Sequence, residues 1–452
     1  MDNVNKLLEA MRASRISRRE FLVRAAALGL SAAAVNRWLA YAEAPAPTGE
    51  AMSEWTLPPA ATPNPSVPKV NVGVLYPQTG DYARFGIACT NASKLAAKHI
   101  NAAGGILALG GAELNLVIED ATSDATQARS QAERLITQNK LAAGTGCYSS
   151  SITLVVTEVS ERNKLPWVTG SISNKLTERE FKYFFQVSPK ASMFGQMQVE
   201  TAKLLGDTIG PKLNKVAIVY EDTSYGTSTS EGLMKTAEEL GFNIVLYEAY
   251  SAGFTDASPL VNKIKASGAE ILFPVSYLTD AILIVKTMRD MNVTAAIIGG
   301  GAGYLMPEFW QGLGEDAEYI FSVGSWAMDI SCPSVPWFAG EYEKEYGEFL
   351  MEHAGEAYVM MWVIKEAIEK VGSADPEKVR EALVAFDATS GPASAMPGCR
   401  VQFDEVGWNK HVHPVMIQWR AGRPACVWPP EDARTEPVWP IPTWEERKKA
   451  KA

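Results

Sequence analysis

The 452-residue sequence holds only four histidines and five cysteines, and it contains no C-x-x-C pair and no G-x-S-x-G. Without paired thiols at metal or redox spacing, a zinc ribbon or thioredoxin-like chemistry has no ligands to use. Without the nucleophile elbow, an α/β-hydrolase reading fails at its first requirement. No uninterrupted apolar run reaches the length of a membrane-crossing helix. Positive charge is also short: the formal net charge is −10. An acidic body does not attract phosphate, which argues against nucleic acid as a partner. His411 and His413 alternate on a tail segment, but no third ligand accompanies them, so no metal is expected. No cofactor fingerprint is present either. "IIGGGAGY" (residues 297–304) has glycines at 299, 300, 301 and 303, which does not satisfy G-x-G-x-x-G.

The charge that exists is unevenly placed. Residues 1–42 carry seven Lys/Arg against three acids, a net of +4, so the remainder carries −14. Within that basic front end, Arg18-Arg19-Glu20-Phe21-Leu22 precedes a mild apolar stretch and the small-x-small sequence Ala40-Tyr41-Ala42. This pattern resembles a twin-arginine export signal over residues 1–42, and it implies a periplasmic or extracytoplasmic protein. Residues 43–68 are proline-rich with little periodicity and read as an extended linker. With five cysteines in an exported chain, at least one thiol stays free. Cys332 and Cys399 lie in similar proline-rich surroundings and could bridge, which spacing alone does not decide.

From residue 69 the text alternates. "KVNVGVLY", "LNLVIED", "LAAGTG" and "LPWVTG" are short β-rich runs, and each is separated from the next by an apolar pattern of helical period. Asp124 stands where the second of these helices needs an N-cap. The alternation restarts at "KVAIVYED", followed by "NIVLYEAY", "EILFPVS" and "TAAIIGGG" with helices between. Strict strand–helix alternation calls for parallel sheets with helices on both faces, here in two successive arrays. Late helices are expected over 338–352 and 357–371, and the text from 399 to 430 turns β-like again.

In parallel α/β sheets, ligands bind beyond the carboxyl ends of strands, where helix N-termini present unpaired N–H groups. "GTGCYSSSIT" (residues 144–153) places Ser149, Ser150 and Ser151 at such a junction. Hydroxyls beside free amides can hold a carboxylate without an arginine. A serine cluster can equally be plain N-capping. The next strand ends in "TGSIS", bringing Ser171 and Ser173 to a neighbouring junction, and two adjacent hydroxyl-rich strand ends favour the anion cradle. Tyr76, Phe85, Tyr148, Tyr225 and Tyr277 also fall at predicted strand ends or loops, outlining an apolar pocket with polar rims.

Six ordered segments carry a family resemblance: "KVNVGVLYPQTGDYARFG", "INAAGGI", "IEDATSDATQA", "GCYSSS", "VTGSISNKLT" and "VYEDTSYGTS". Their order and spacing resemble the type I periplasmic substrate-binding proteins of ABC importers, specifically the branched-chain amino acid (Leu/Ile/Val-binding) family, over residues 69–430. The resemblance implies an α/β fold of two Rossmann-like lobes with parallel central sheets, joined by a three-crossover hinge, with ligand in the cleft. Lobe boundaries of 69–189 plus 325–395 and 190–324 plus 396–430 follow, with 431–452 as a tail. Residue by residue, it implies Ser149, Ser150, Ser171 and Ser173 as the carboxylate cradle and Phe85 as an aromatic lining. Tyr225 and Tyr277 then close from the second lobe.

One departure matters. Where the family's amino-acid binders place an acid for the ligand's ammonium, this chain has glycine around Gly300–Gly301. Asp222 or Asp280 could substitute. A buried ammonium without an anionic partner is costly, so the simpler expectation is a ligand lacking the α-amino group or presenting it differently. The cysteine that would pair with Cys147 in the family's early disulfide is missing as well.

The expectation is therefore a non-enzymatic, monomeric solute-binding protein without metal or cofactor. It would take a small carboxylate- or amide-bearing ligand to a membrane ABC permease, or, on the alternative reading, serve as a ligand sensor for a signalling partner.

Overall fold

A computed structural model describes residues 55–449. The expected export signal lies outside the described residues. The chain forms two compact units: residues 52–191 with 331–413, and residues 192–330 with the C-terminal stretch from 414. The chain passes from one unit to the other after residues 191, 330 and 413.

The first unit is built on a five-stranded parallel sheet of order β2-β1-β3-β4-β5. Its strands are β1 (Val70–Tyr76), β2 (Leu114–Asp120), β3 (Leu141–Gly146), β4 (Trp167–Thr169) and β5 (Phe184–Gln186). Strands buried on both faces read as continuous apolar runs, as "LAAGTG" does, and β3 is buried at every position. Helices α1 (Ala83–Ala102), α2 (Ala125–Gln138) and α3 (Ser150–Arg162) supply the crossovers. Asp124 caps α2 as expected, its carboxylate accepting the Gln127 N–H at 2.8 Å. Strand β5 and the helix after it, α4 (Ala191–Thr208), occupy what reads in sequence only as a break between two arrays.

The second unit has a seven-stranded sheet of order β14-β13-β10-β9-β8-β6-β7. Its parallel part comprises β6 (Lys215–Glu221), β7 (Asn243–Tyr250), β8 (Ile271–Val275), β9 (Ala296–Gly299) and β10 (Phe321–Gly324). Strands β13 (Val415–Arg420) and β14 (Arg423–Trp428) extend it as an antiparallel hairpin. Helices α5 (Ser224–Glu239), α6 (Ser258–Ser267), α7 (Leu278–Asp290) and α8 (Pro307–Leu313) join the parallel strands.

After residue 330 the chain adds α9 (Val335–Tyr346), α10 (Glu352–Val371), α11 (Pro376–Val384) and the short antiparallel pair β11 (Asp387–Ala388) and β12 (Val401–Gln402) to the first unit. The helix expected over 338–352 stops at Tyr346, because Gly347 takes up a left-handed conformation (φ +73°) and terminates it. Residues 396–413, expected with the second lobe, belong to the first. Asn409 donates its N–H to the Gln186 carbonyl at 2.9 Å, and Gln186 donates to the Gly407 carbonyl at 2.7 Å. The Trp408 Nε1–H reaches the Ser188 carbonyl, and a disulfide joins Cys332 to Cys399. These bonds complete the edge of β5, which leaves the β-like text of the tail divided between the two units. Residues 55–68 also rest on the first unit, Asn64 donating to the Gly111 carbonyl at 2.7 Å and Trp55 meeting Trp337 edge-on. Residues 431–447 rest on the second unit, where the Trp444 Nε1–H donates to the Val293 carbonyl.

Candidate functional site

The junction between β3 and α3 is built from three successive residues with positive φ: Gly146 (+135°), Cys147 (+84°) and Tyr148 (+60°). Gly146 is required twice over, since a Cβ there would stand 2.2 Å from the Leu75 carbonyl oxygen. The Cys147 N–H donates to that same oxygen at 2.7 Å, and Ser149 N–H donates to the Cys147 carbonyl. The loop is thereby folded tightly against the end of β1. Cys147 itself is a buried free thiol whose pKa is raised by burial, and it is a packing residue.

The tight loop aims the serines. Ser149 occupies the N-cap position of α3, yet its side chain makes no capping bond, although the residue is only 3% exposed. Its hydroxyl therefore remains available beside the first-turn N–H groups of α3, which helix geometry leaves without intrahelical partners. The Ser150 Oγ accepts the Ser173 N–H at 3.2 Å. The Ser171 hydroxyl is already committed: it donates to the Tyr148 carbonyl at 2.9 Å and shares a 2.5 Å bond with the Thr153 hydroxyl. The two loops meet because β3 and β4 are adjacent strands. Ser171 and Thr153 knit them together, and the Ser149 hydroxyl takes no part in that bonding.

Aromatic rings stand beside the serines. Phe85, in the first turn of α1, stacks on Tyr148 at 4.3 Å with 17° between the planes. Tyr82 meets Tyr148 edge-on at 5.8 Å. His353, from the first turn of α10, lies edge-on to Tyr148 at 4.8 Å and to Phe85 at 6.0 Å. Tyr76, the last residue of β1, makes none of these ring contacts; it is 2% exposed, as buried as Phe85, and burial pushes its pKa well above the ordinary value. Arg84, the neighbour of Phe85 on α1, pairs with Glu348 at 2.5 Å.

In the second unit, Tyr225, Tyr277 and Gly301 follow the adjacent strands β6, β8 and β9, and the structure brings them together. The Tyr225 hydroxyl donates to the Gly300 carbonyl at 2.5 Å, and its ring lies 5.6 Å from that of Tyr277. Gly301 has φ +92°, and a Cβ there would stand 2.9 Å from the Phe194 ring and 3.1 Å from the Val323 carbonyl oxygen. The turn therefore has no room for an acidic side chain at 301. Neither expected substitute is idle: Asp280 accepts the Gly253 N–H at 3.0 Å, and Asp222 accepts the Ser251 hydroxyl at 3.0 Å. Both hold the loop after β7. A carboxylate that sequence reasoning passed over, Glu221, is fully buried at the end of β6. Burial raises its pKa against the lowering effect of bonds from Thr223 and the Gly226 N–H.

Thr153, Glu352 and His353 are the first-unit residues that sequence reasoning did not assign to the site. Thr153 was in reach, four residues beyond Ser149 on the same helical face. His353 was not, because it arrives from a helix some two hundred residues away in sequence. Among the described residues, no group of His, Cys, Asp or Glu is arranged to hold a metal ion, and no helix is long and apolar enough to cross a membrane.

Two parallel α/β sheets, with helix N-termini and hydroxyls gathered at their strand ends, define the class of type I periplasmic binding proteins. The chain belongs to the branched-chain amino acid (Leu/Ile/Val-binding) family of that class, a periplasmic binding protein family model matching residues 69–416. It is 32% identical over 385 residues to Leu/Ile/Val-binding protein homolog 7 of Brucella melitensis, covering 82% of this chain and 94% of the relative. It is 30% identical over 370 residues to homolog 8 of the same organism, covering 80% and 90%. Among solved structures, the leucine-binding protein LivK of Thermotoga maritima shares the fold with a TM-score of 0.70 at 24% identity, over 79% of this chain and 97% of that one. The isoleucine complex of LivJ from Streptococcus pneumoniae shares it with a TM-score of 0.68 at 23% identity, over the same shares.

Proposed function

We propose that the protein is an exported, non-enzymatic, monomeric solute-binding protein that captures a small carboxylate- or amide-bearing ligand and delivers it to an ABC importer. The supporting observation is the first-unit cradle: a Ser149 hydroxyl that caps nothing, beside the free amides of α3, on two loops bonded to each other. Such a site binds a carboxylate by charge-assisted hydrogen bonds and the helix dipole, with no cation needed. Phe85 and Tyr148 supply apolar surface next to it, and Tyr225 and Tyr277 are further ligand contacts on the second unit. The glycines at 300 and 301 favour a ligand that is deaminated, or that presents its nitrogen elsewhere than an amino acid bound against an acid at that turn.

A thermal-shift screen tests the reading. Leucine and valine are compared with the matching deaminated acids and amides. Ligand at about a hundred times its Kd adds roughly 2.7 kcal/mol of stability, an easily read shift. If no amino acid, aliphatic or aromatic carboxylate, or amide stabilises the protein, the proposed ligand class is wrong. Importer delivery is tested separately, by ligand uptake in cells with and without the gene.

A further inference from the structure

The imidazole of His353 is held in an unusual way for a residue in an aromatic wall. Its ring lies edge-on to Tyr148 and Phe85, at 4.8 and 6.0 Å, and both of those rings belong to the candidate site. Nδ1 stands 3.5 Å from a carboxylate oxygen of the neighbouring Glu352, itself buried. That contact is not a hydrogen bond. A neutral imidazole keeps one ring nitrogen as an acceptor in either tautomer. Neither ring nitrogen makes a hydrogen bond among the described residues, and the side chain keeps 17% of its surface open. Phenylalanine would satisfy the ring packing equally well. An imidazole with an unspent acceptor has a use that packing does not explain.

In the first unit the ring stands against Tyr148, the residue that precedes Ser149 in the serine loop. We propose that His353 is a specificity-determining residue whose unspent ring acceptor takes an N–H of the ligand bound at that loop. This rests on the carboxylate- or amide-ligand reading above, and it narrows the ligand to compounds that carry an N–H donor, an amine or a primary amide, next to an apolar body. Desolvation pushes the His353 pKa down to about 3, which keeps the ring neutral and an acceptor across the physiological range.

The test compares ligands that share one carbon skeleton: leucine, 4-methylpentanamide and 4-methylpentanoate. Titration calorimetry is run on the full chain and on His353→Phe, which retains a planar ring and removes the acceptor. The expected result is that the wild type prefers at least one N–H-bearing compound over 4-methylpentanoate by about tenfold or more, and that the preference collapses in the variant. Binding without that preference, or a preference that survives His353→Phe, overturns the role of His353 and leaves the ligand class standing. Binding of none of the three by the wild type overturns the ligand class and this proposal with it. A second readout does not depend on the variant folding. With only four histidines in the chain, nitrogen-15 imidazole spectra of the wild type separate them. A His353 ring-nitrogen resonance should move with the preferred compound and not with 4-methylpentanoate, and unmoved resonances overturn the proposal.

Discussion

The Ser150 hydroxyl accepts the backbone N–H of Ser173 at 3.2 Å, which joins the loop after β3 to the loop after β4. With the Ser171–Thr153 bond, it makes one rigid floor out of two strand ends. The serines thus differ: the Ser171 hydroxyl donates to the protein, the Ser150 hydroxyl accepts from it and keeps its own O–H, and the Ser149 hydroxyl does neither.

That division separates stability from affinity. Ser150→Ala leaves the buried Ser173 N–H without its partner and is expected to cost about 1–3 kcal/mol of stability. Ser171→Ala, which removes two bonds, should cost a similar amount. Ser149→Ala should change stability by less than about 0.5 kcal/mol and weaken binding of the ligand found in the screen by about 1–2 kcal/mol. Chemical denaturation and calorimetry on the three variants check this. An unaltered affinity in Ser149→Ala would remove that residue from the cradle.

Gly146→Ala should be among the most damaging small substitutions in the first unit. A φ of +135° is outside the ordinary range of alanine, and the added methyl would stand 2.2 Å from the Leu75 oxygen. Relief requires the Cys147–Leu75 hydrogen bond to lengthen, which unlatches the loop from β1. A loss of at least about 2 kcal/mol is expected. A variant as stable as the wild type in denaturant would show that the loop is not held as described.

Much of this was legible in the sequence, and the limits have physical causes. Period and turn chemistry gave the strands of both arrays, and "GTGCYSSS" with "TGSIS" gave the two loops, because those signals are local. The same text could not show which hydroxyl stays free. Ser149 and Ser171 have one chemistry in sequence, and only their distances to Thr153 and Tyr148 tell them apart. Residues 396–413 were assigned to the wrong lobe for a similar reason. Their partner is the edge of β5 at Gln186, a three-residue strand too short to announce itself.

The first unit contains its own acid sensor. His99 is buried on α1, with Nδ1 2.8 Å from the Tyr358 hydroxyl. Its pKa falls from 6.5 to about 4, chiefly through desolvation, with Glu341 and Glu345 opposing the shift and Lys98 adding to it. The folded state therefore binds the His99 proton less readily than the unfolded chain does. Its contribution is fully present above pH 6.5 and is lost as pH falls toward 4. The loss is on the order of 2 kcal/mol. His99→Gln, measured by denaturation across that range, should flatten the slope, and an unchanged slope would assign the acid sensitivity to another group.

Asp329, in the second unit, works in the opposite sense. One carboxylate oxygen accepts the Cys426 N–H at 3.0 Å, and the other has no hydrogen-bond partner. Desolvation raises its pKa to about 6; the Cys426 N–H and Arg434 pull it down, and Asp432 pushes it up. A raised carboxyl pKa means that the folded state holds the proton more tightly. The stability it contributes is fully present below about pH 4 and disappears as pH rises through about 6. At neutral pH the charged form is a burden on the unit. Asparagine keeps a carbonyl oxygen for the Cys426 N–H and carries no charge. Asp329→Asn should therefore stabilise the second unit at pH 7, by about 1–2 kcal/mol, and give no gain at pH 4. The comparison of the two variants is informative because their slopes have opposite signs. If Asp329→Asn destabilises at pH 7, the carboxylate is held in its charged form by Arg434, and the desolvation argument fails for this site.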